Sequence, residues 1–87
     1  MTAAPAIPMT AIEIGGGRNM RLTPGDLVGA IANEVGVSAR AIGAIRIDES
    51  HALVEVASEI VDDVLRALRG VYIKGKRLTV RRHAARR

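Results

Sequence analysis

The order in which two apolar patterns follow one another restricts the folds open to this chain. Apolar and polar residues alternate in segments 10–15, 42–48 and 51–56, which is typical of half-buried strands. Apolar residues recur at helical spacing after residue 23 and again after residue 58. Residues 71–81 are expected to form a last strand or strand pair around a Lys-Gly-Lys turn. The order β-α-β-β-α-β predicts an α+β, ferredoxin-like fold: a four-stranded antiparallel sheet with two helices on one face.

The start of each helix has its own sequence signal. Thr23 is a suitable N-cap, Pro24 suits the first helical position, and Asp26 stands where a capping box has its acid. Gly36 is expected to end this first helix. Ser58 is expected to cap the second.

The composition allows one small domain and argues against an enzyme. Only one of 87 residues is aromatic, so the core must consist of Ile, Val, Leu and Ala. With no cysteine and two histidines, disulfides and thiolate metal sites are excluded, and no cofactor is expected. No phosphate loop and no Ser/His/Asp set is present. The lack of cysteine fits a reducing cytoplasm, which is the expected location.

The chain divides into a linker, a domain and a tail. Residues 1–9, with two prolines, are expected to form an extended linker without the features of a signal peptide. Residues 10–82 are expected to form a domain like the RNA-recognition motif, and residues 83–87 a basic tail. No apolar run approaches the ~20 residues of a membrane helix, so no membrane partner is expected.

Charge is distributed unevenly along the sequence. Residues 64–87 hold nine of the 13 basic residues and none of the nine acidic ones, and the net charge is +4. A chain polarised in this way usually presents a positive surface to a polyanion. Nucleic acid is the leading candidate.

Three consecutive glycines follow the first strand. They are not a dinucleotide fingerprint, because Met20 stands where its third glycine would fall. One interpretation is a flexible turn. The other is a backbone that approaches a ligand closely beside the start of the first helix, although Asp26 would weaken any attraction for phosphate there.

The third strand aligns with the octamer that carries the stacking rings of RNA-recognition motifs. Only Ala52 and Val54 fit that pattern well. His51 and Leu53 occupy the outward positions of the rings, and Glu13 occupies the corresponding position on the first strand. Histidine can stack on a base, but leucine and glutamate cannot do so comparably. Since each missing ring forfeits roughly 1–3 kcal/mol per base, stacking on the sheet is not expected to be the main binding mode.

Basic and polar side chains are therefore the expected contacts to RNA. Arginine supplies bidentate contacts to phosphate or guanine edges, and lysine supplies a point charge. Arg46, Arg77 and Arg81 are expected on strands, on the face that the helices leave free. Groups of this kind on loops suit structured RNA better than a bare single strand. The predicted RNA-binding residues are Arg18, Asn19, Arg21, Arg46, His51, Lys74, Lys76, Arg77 and Arg81.

Several segments together carry a family resemblance. Residues 15–31, GGGRNMRLTPGDLVGAI, resemble the start of the C-terminal RNA-binding domain of bacterial DEAD-box RNA helicases, the DbpA type. IGAIRI at 42–47, ALVEV at 52–56 and YIKGKRLTV at 72–80 continue the resemblance, which covers residues 11–82.

The resemblance implies a divergent RNA-recognition motif that anchors a helicase on structured RNA, often ribosomal RNA. The expected partners are this RNA and an ATP-driven helicase core in cis, with a role in ribosome biogenesis and a monomeric isolated domain. The family's basic loop maps onto Arg18, Asn19 and Arg21. Its basic closing turn maps onto Lys74, Lys76 and Arg77.

Two alternatives remain open at this point. The first is a protein-interaction or dimerisation module on the same fold, with Leu53 as an outward anchor. The second is a regulatory domain that binds an amino acid near the turn formed by residues 15–26.

Overall fold

The computed structural model describes residues 8–37 and 39–83 and confirms the predicted α+β fold. Four strands form one antiparallel sheet in the order β2-β3-β1-β6, while β4 and β5 form a separate two-stranded hairpin. The predicted linker (1–9) and basic tail (83–87) lie outside the described residues, apart from Pro8, Met9 and His83. The elements are β1 Met9–Ile14, α1 Pro24–Val35, β2 Ile42–Ile47, β3 Ala52–Ala57, α2 Val61–Leu68, β4 Tyr72–Ile73, β5 Lys76–Arg77 and β6 Val80–Arg82.

The core lies between one face of the sheet and the two helices. Ile12 and Ile14 of β1 are fully buried, as are Val54 and Val56 of β3. Because side chains alternate along a strand, the residues between them face the other side, which the helices leave open. Completely buried residues of the helices include Leu27, Ile31 and Val64.

The first helix begins as its sequence predicts. The Asp26 N–H donates to Oγ1 of Thr23 at 3.2 Å, and the Thr23 N–H donates to Oδ2 of Asp26 at 2.9 Å, which completes the capping box. Pro24 occupies the first turn, and Gly36 closes the helix in the left-handed conformation with φ 77°.

The prediction for the start of the second helix was wrong. A short 3-10 turn, Ser58–Ile60, precedes α2, and Ile60 occupies the N-cap position without a side-chain hydrogen bond. The Ser58 hydroxyl lies 2.6 Å from that of Thr10 on β1 and pairs with it instead. The hydroxyl therefore ties the strand–helix junction to the sheet rather than capping the helix.

Three connections lie at the same end of the sheet, which we call the loop end: residues 15–23, 48–51 and 74–79. The register sets this arrangement, since Ile14 at the end of β1 lies opposite Ala52 at the start of β3 and Val80 at the start of β6. The Gly15 N–H donates to the Thr79 carbonyl at 2.8 Å, which joins the first connection to the third. The loop end thus gathers segments that are far apart in the sequence. Neither helix in the described part of the chain is long and apolar enough to cross a membrane.

Candidate nucleic-acid interface

The glycine-rich connection packs directly on the turn between β2 and β3. The N–H groups of Arg18 and Asn19 donate to the carbonyls of Asp48 and Glu49, each at 2.9 Å. Gly17 is buried, and a Cβ on it would collide with the backbone of that turn. The close approach that the glycines permit is therefore to the protein's own backbone.

The loop ends in an unusual backbone conformation at Arg21. Its φ is +60°, and its N–H donates to the Arg18 carbonyl at 2.9 Å. A left-handed conformation costs a non-glycine residue of the order of 1 kcal/mol. It turns the chain toward α1 with an exposed arginine at the bend.

The β4–β5 hairpin is fastened to the start of α1. Ile73 is buried in the core, and Nζ of Lys74 lies 3.6 Å from Oδ2 of Asp26. The hydrogen bond from the Thr23 N–H holds the pKa of Asp26 below its ordinary value, and the Lys74 ammonium adds to this effect. The Thr23 side chain already accepts a hydrogen bond from the first turn of α1, and the Asp26 carboxylate, held by Thr23 and Lys74, places negative charge beside it. This helix N-terminus therefore does not offer an open site for phosphate.

The turn of the hairpin has both central residues at positive φ, Lys74 at 55° and Gly75 at 77°. This is the pattern of a type I′ turn, whose twist matches that of antiparallel strands. The turn presents Lys74, Lys76 and Arg77 close together, as their sequence spacing predicts.

A row of four residues crosses the open face of the sheet, one from each strand. We call Arg46, Leu53, Glu13 and Arg81 the open row; each is the register partner of the next. Nη2 of Arg81 lies 3.4 Å from Oε1 of Glu13, and Nε of Arg46 lies 3.5 Å from Oδ1 of Asp48. The row carries no aromatic ring, and both of its cations already contact an acid.

The predicted cations fall into two groups according to their partners. Arg18, Lys74, Arg46 and Arg81 each lie within 4 Å of a carboxylate. Nε2 of His51 lies 3.0 Å from Oδ2 of Asp48. Three of the predicted cations are exposed and have side chains without an ion pair or hydrogen bond to residues 8–37 or 39–83: Arg21, Lys76 and Arg77. The side chain of Asn19 is likewise exposed and without a partner there.

The structure places Arg77 differently from the expectation. Its strand, β5, belongs to the hairpin and not to the four-stranded sheet, so Arg77 is not on the sheet's open face. It lines a shallow groove together with Arg69, Leu78, Thr79 and Val80. This position brings Arg77 to the loop end, beside the carboxyl end of α2.

Two residues of this region are not among those predicted from the sequence. Tyr72 is 66% exposed on β4, and Arg69 at the end of α2 has no acidic partner in the described chain. The signal for Tyr72 was available, because it is the chain's one aromatic residue and it stands two positions before the basic turn. Among the described residues, no group of three or more His, Cys, Asp or Glu side chains is placed to hold a metal ion.

Comparison with known proteins connects this chain to a family of RNA-binding domains. Residues 11–82 match the family described as the DbpA RNA binding domain. The chain is 33% identical over 73 residues to the ATP-dependent RNA helicase DbpA of Escherichia coli, covering 84% of this chain and 16% of the relative. It is 35% identical over 69 residues to the ATP-dependent RNA helicase DeaD of Buchnera aphidicola, covering 79% of this chain and 12% of the relative. An uncharacterized protein of Treponema pallidum is 31% identical over 71 residues, covering 82% of this chain and 31% of the relative.

The chain therefore spans less than a third of the length of each of these relatives.

Proposed function

Since the chain belongs to the DbpA RNA-binding domain family, we propose that it anchors the ATP-driven core of a DEAD-box helicase to structured RNA, with ribosomal RNA as the target. The family membership makes the chain an RNA-binding module of the kind found in helicases. The 87 residues are not themselves a helicase. The helicase core in cis, the ribosomal target and the role in ribosome biogenesis belong to the proposal.

One observation carries the proposal: cations without acidic partners lie in two connections at the same end of the sheet. Arg21 comes from the first connection, and Lys76 and Arg77 come from the hairpin more than 50 residues later. An unpaired guanidinium binds a phosphate without first breaking an internal ion pair, and it displaces the counterions that phosphates condense.

The shape of the loop end favours structured RNA. Its cations project from a loop and a tight turn, and such protrusions fit junctions and bulges, where phosphates approach one another at angles that a regular helix does not offer. The open row, lacking rings, is a poor platform for a bare single strand. Folded ribosomal RNA is rich in such junctions, and it resides in the cytoplasm of bacteria, where we propose that this module acts as a monomer.

The test is fluorescence anisotropy of a labelled, folded fragment of bacterial large-subunit ribosomal RNA at near-physiological salt. A scrambled RNA of equal length and a DNA duplex serve as competitors. The proposal predicts a clear preference for the folded fragment. Equal, salt-labile binding to all three nucleic acids would reduce the module to a general polyanion surface and would contradict a structured target.

A set of single substitutions assigns the binding to the loop end. Arg77→Ala and Arg21→Ala are expected to weaken binding, whereas Arg40→Ala removes the same charge at the opposite end of the sheet and serves as the matched control. Circular dichroism checks that each variant is folded. Equal losses in all three variants would show that only net charge matters.

The dimerisation alternative has less support from the open face. Leu53 is half-buried between Arg46 and Glu13, and the one large hydrophobic side chain exposed among the described residues is Tyr72, away from the sheet. Interface cores are depleted in charged residues. A tight dimer in light scattering that Leu53→Asp abolishes would revive this alternative.

A further inference from the structure

Tyr72 is an aromatic residue whose surface is largely exposed to solvent. It is 66% exposed, and its ring makes no hydrogen bond or ring contact with residues 8–37 or 39–83. The same chain builds its core without a single aromatic residue. The ring therefore contributes little to the stability of the fold, and its apolar surface is left available to a ligand.

The hairpin holds this ring in a defined direction. Ile73, the next residue, is 6% exposed and points into the core, so Tyr72 points away from the core on the outer side of β4. The ion pair between Lys74 and Asp26 holds the turn against α1. A ring on an anchored ribbon loses little further freedom when a flat partner packs on it.

One cation lies opposite the ring, and a second shares a groove with that cation. Arg77 is the register partner of Tyr72, and side chains directly opposite on antiparallel strands have Cβ atoms about 4.5–5.5 Å apart. Arg77 and Arg69 line the same groove, and neither has an acidic partner in the described chain. An exposed ring flanked by unpaired cations is the combination that binds an unpaired nucleotide: the base stacks on the ring, and its phosphates meet the cations.

On the premise of the proposed function, we propose that Tyr72 is the stacking platform of this module and holds one unpaired base of the bound RNA. Arg77 and Arg69 contact the phosphates beside that base. The platform lies on the β4–β5 hairpin, outside the four-stranded sheet. On the sheet itself, Glu13 and Leu53 occupy the outward positions and provide no aromatic ring.

The chain offers a direct readout, because it contains one tyrosine and no tryptophan. Its intrinsic fluorescence therefore reports on Tyr72 alone. Three probes with equal numbers of phosphates are titrated into the protein at low ionic strength: single-stranded oligoadenylate, the abasic oligomer of the same length, and a fully paired RNA duplex. Free tyrosinamide, mixed with each probe, corrects for light absorbed by the RNA.

The proposal predicts strong quenching by oligoadenylate and little by the abasic oligomer or the duplex, although labelled forms of all three bind. Equal quenching by the abasic oligomer would overturn it, because charge alone would then suffice. Bound oligoadenylate without quenching would overturn the stacking site and leave the proposed function intact. The absence of any RNA binding would refute both.

Two variants separate the ring from the hydroxyl and from the charges. Tyr72→Ala is expected to weaken oligoadenylate binding by about tenfold, which is within the range for loss of one stacked base, without changing its salt dependence. Tyr72→Phe keeps the ring and is expected to restore the affinity. Arg77→Ala is expected to reduce the salt slope by about one.

Failure of Tyr72→Phe to restore affinity would contradict stacking. Stacking would also be contradicted if Tyr72→Ala weakened binding of a helicase core while RNA binding stayed unchanged. Tyr72 would then belong to a protein contact.

Discussion

The loop end and the open row both carry arginines, but they differ in what those arginines already contact. In the open row, Arg81 lies beside Glu13 and Arg46 beside Asp48. At the loop end, Arg21, Lys76 and Arg77 have no acid within reach among the described residues. A phosphate must compete with a carboxylate for either arginine of the open row, but only with water for Arg21, Lys76 and Arg77 of the loop end. The position of the acids therefore decides which basic residues are available to RNA.

The largest effect should come from removing two unpaired cations together. Because each charge-assisted contact is worth about 1.5–3 kcal/mol, Arg21→Ala with Arg77→Ala is expected to weaken binding to the folded RNA by at least about 100-fold. The slope of log affinity against log salt should fall by about two. Anisotropy over a range of salt concentrations measures both. A matched double variant, Arg40→Ala with Arg66→Ala, should lose far less, and equal losses would break the comparison.

The second prediction concerns the packing that positions the first connection. Gly17→Ala places a methyl group against the backbone of Asp48 and Glu49, and overpacking of this kind costs about 1–3 kcal/mol. Thermal unfolding should show a drop of at least 4 °C, since about 1 kcal/mol shifts a small domain by roughly 4–8 °C.

Gly29 provides the matched control for Gly17. It is exposed within α1, and an added Cβ would meet nothing within 4 Å, so Gly29→Ala should raise the melting temperature. An unchanged melting temperature for Gly17→Ala would show that the first connection does not depend on this close packing.

A third prediction separates stability from binding at one residue. Arg21→Gly relieves the left-handed backbone, and the free energy of unfolding should rise by up to about 1 kcal/mol. The same variant should bind folded RNA less well, because it loses an unpaired guanidinium. Chemical denaturation and anisotropy measure the two effects. Arg21→Ala keeps the strain but loses the same charge, so it should bind equally weakly without the gain in stability.

A smaller effect is expected in the open row. Glu13→Gln removes the acid that Arg81 contacts and leaves that arginine free. If the row lies outside the interface, affinity should rise by no more than about fivefold, because an exposed ion pair is worth only ~0.2–1 kcal/mol. A gain of tenfold or more would place the row inside the interface.

The smallest effect concerns the stability of the fold at low pH. The pKa of Asp26 is lowered in the folded protein, chiefly by the Thr23 N–H, so the stability it contributes is present above its ordinary pKa of 3.8 and is lost as the pH falls through the lowered value. The melting temperatures of the wild type and of Asp26→Asn should differ by a constant amount above pH 3.8 and converge below it. A constant difference at every pH would show that the carboxylate does not anchor the hairpin.

Local patterns in the sequence were sufficient to predict the elements. The alternation around Ile12 and Ile14 gave the first strand, and Thr23 with Asp26 gave the start of α1, because these signals act within a few residues. The cap at Ser58 failed because a tertiary contact, with Thr10, took its hydroxyl.

The candidate site was harder to predict, because its character depends on pairs distant in the sequence. The sequence shows that Arg81 is basic, but it does not show that Glu13, 68 residues earlier, lies opposite it. It also does not show that β5 leaves the sheet and carries Arg77 away from the open face. Such pairings follow from strand register, which local periodicity does not specify.

RNA is expected to contact the loop end and not the open row. Two-dimensional ¹H–¹⁵N NMR of the chain, titrated with the folded ribosomal fragment, tests it residue by residue. The account predicts that the largest shifts fall on residues 18–21 and 72–79, while Arg46, Leu53, Glu13 and Arg81 move little. The largest shifts on those four residues, with residues 72–79 unchanged, would contradict it.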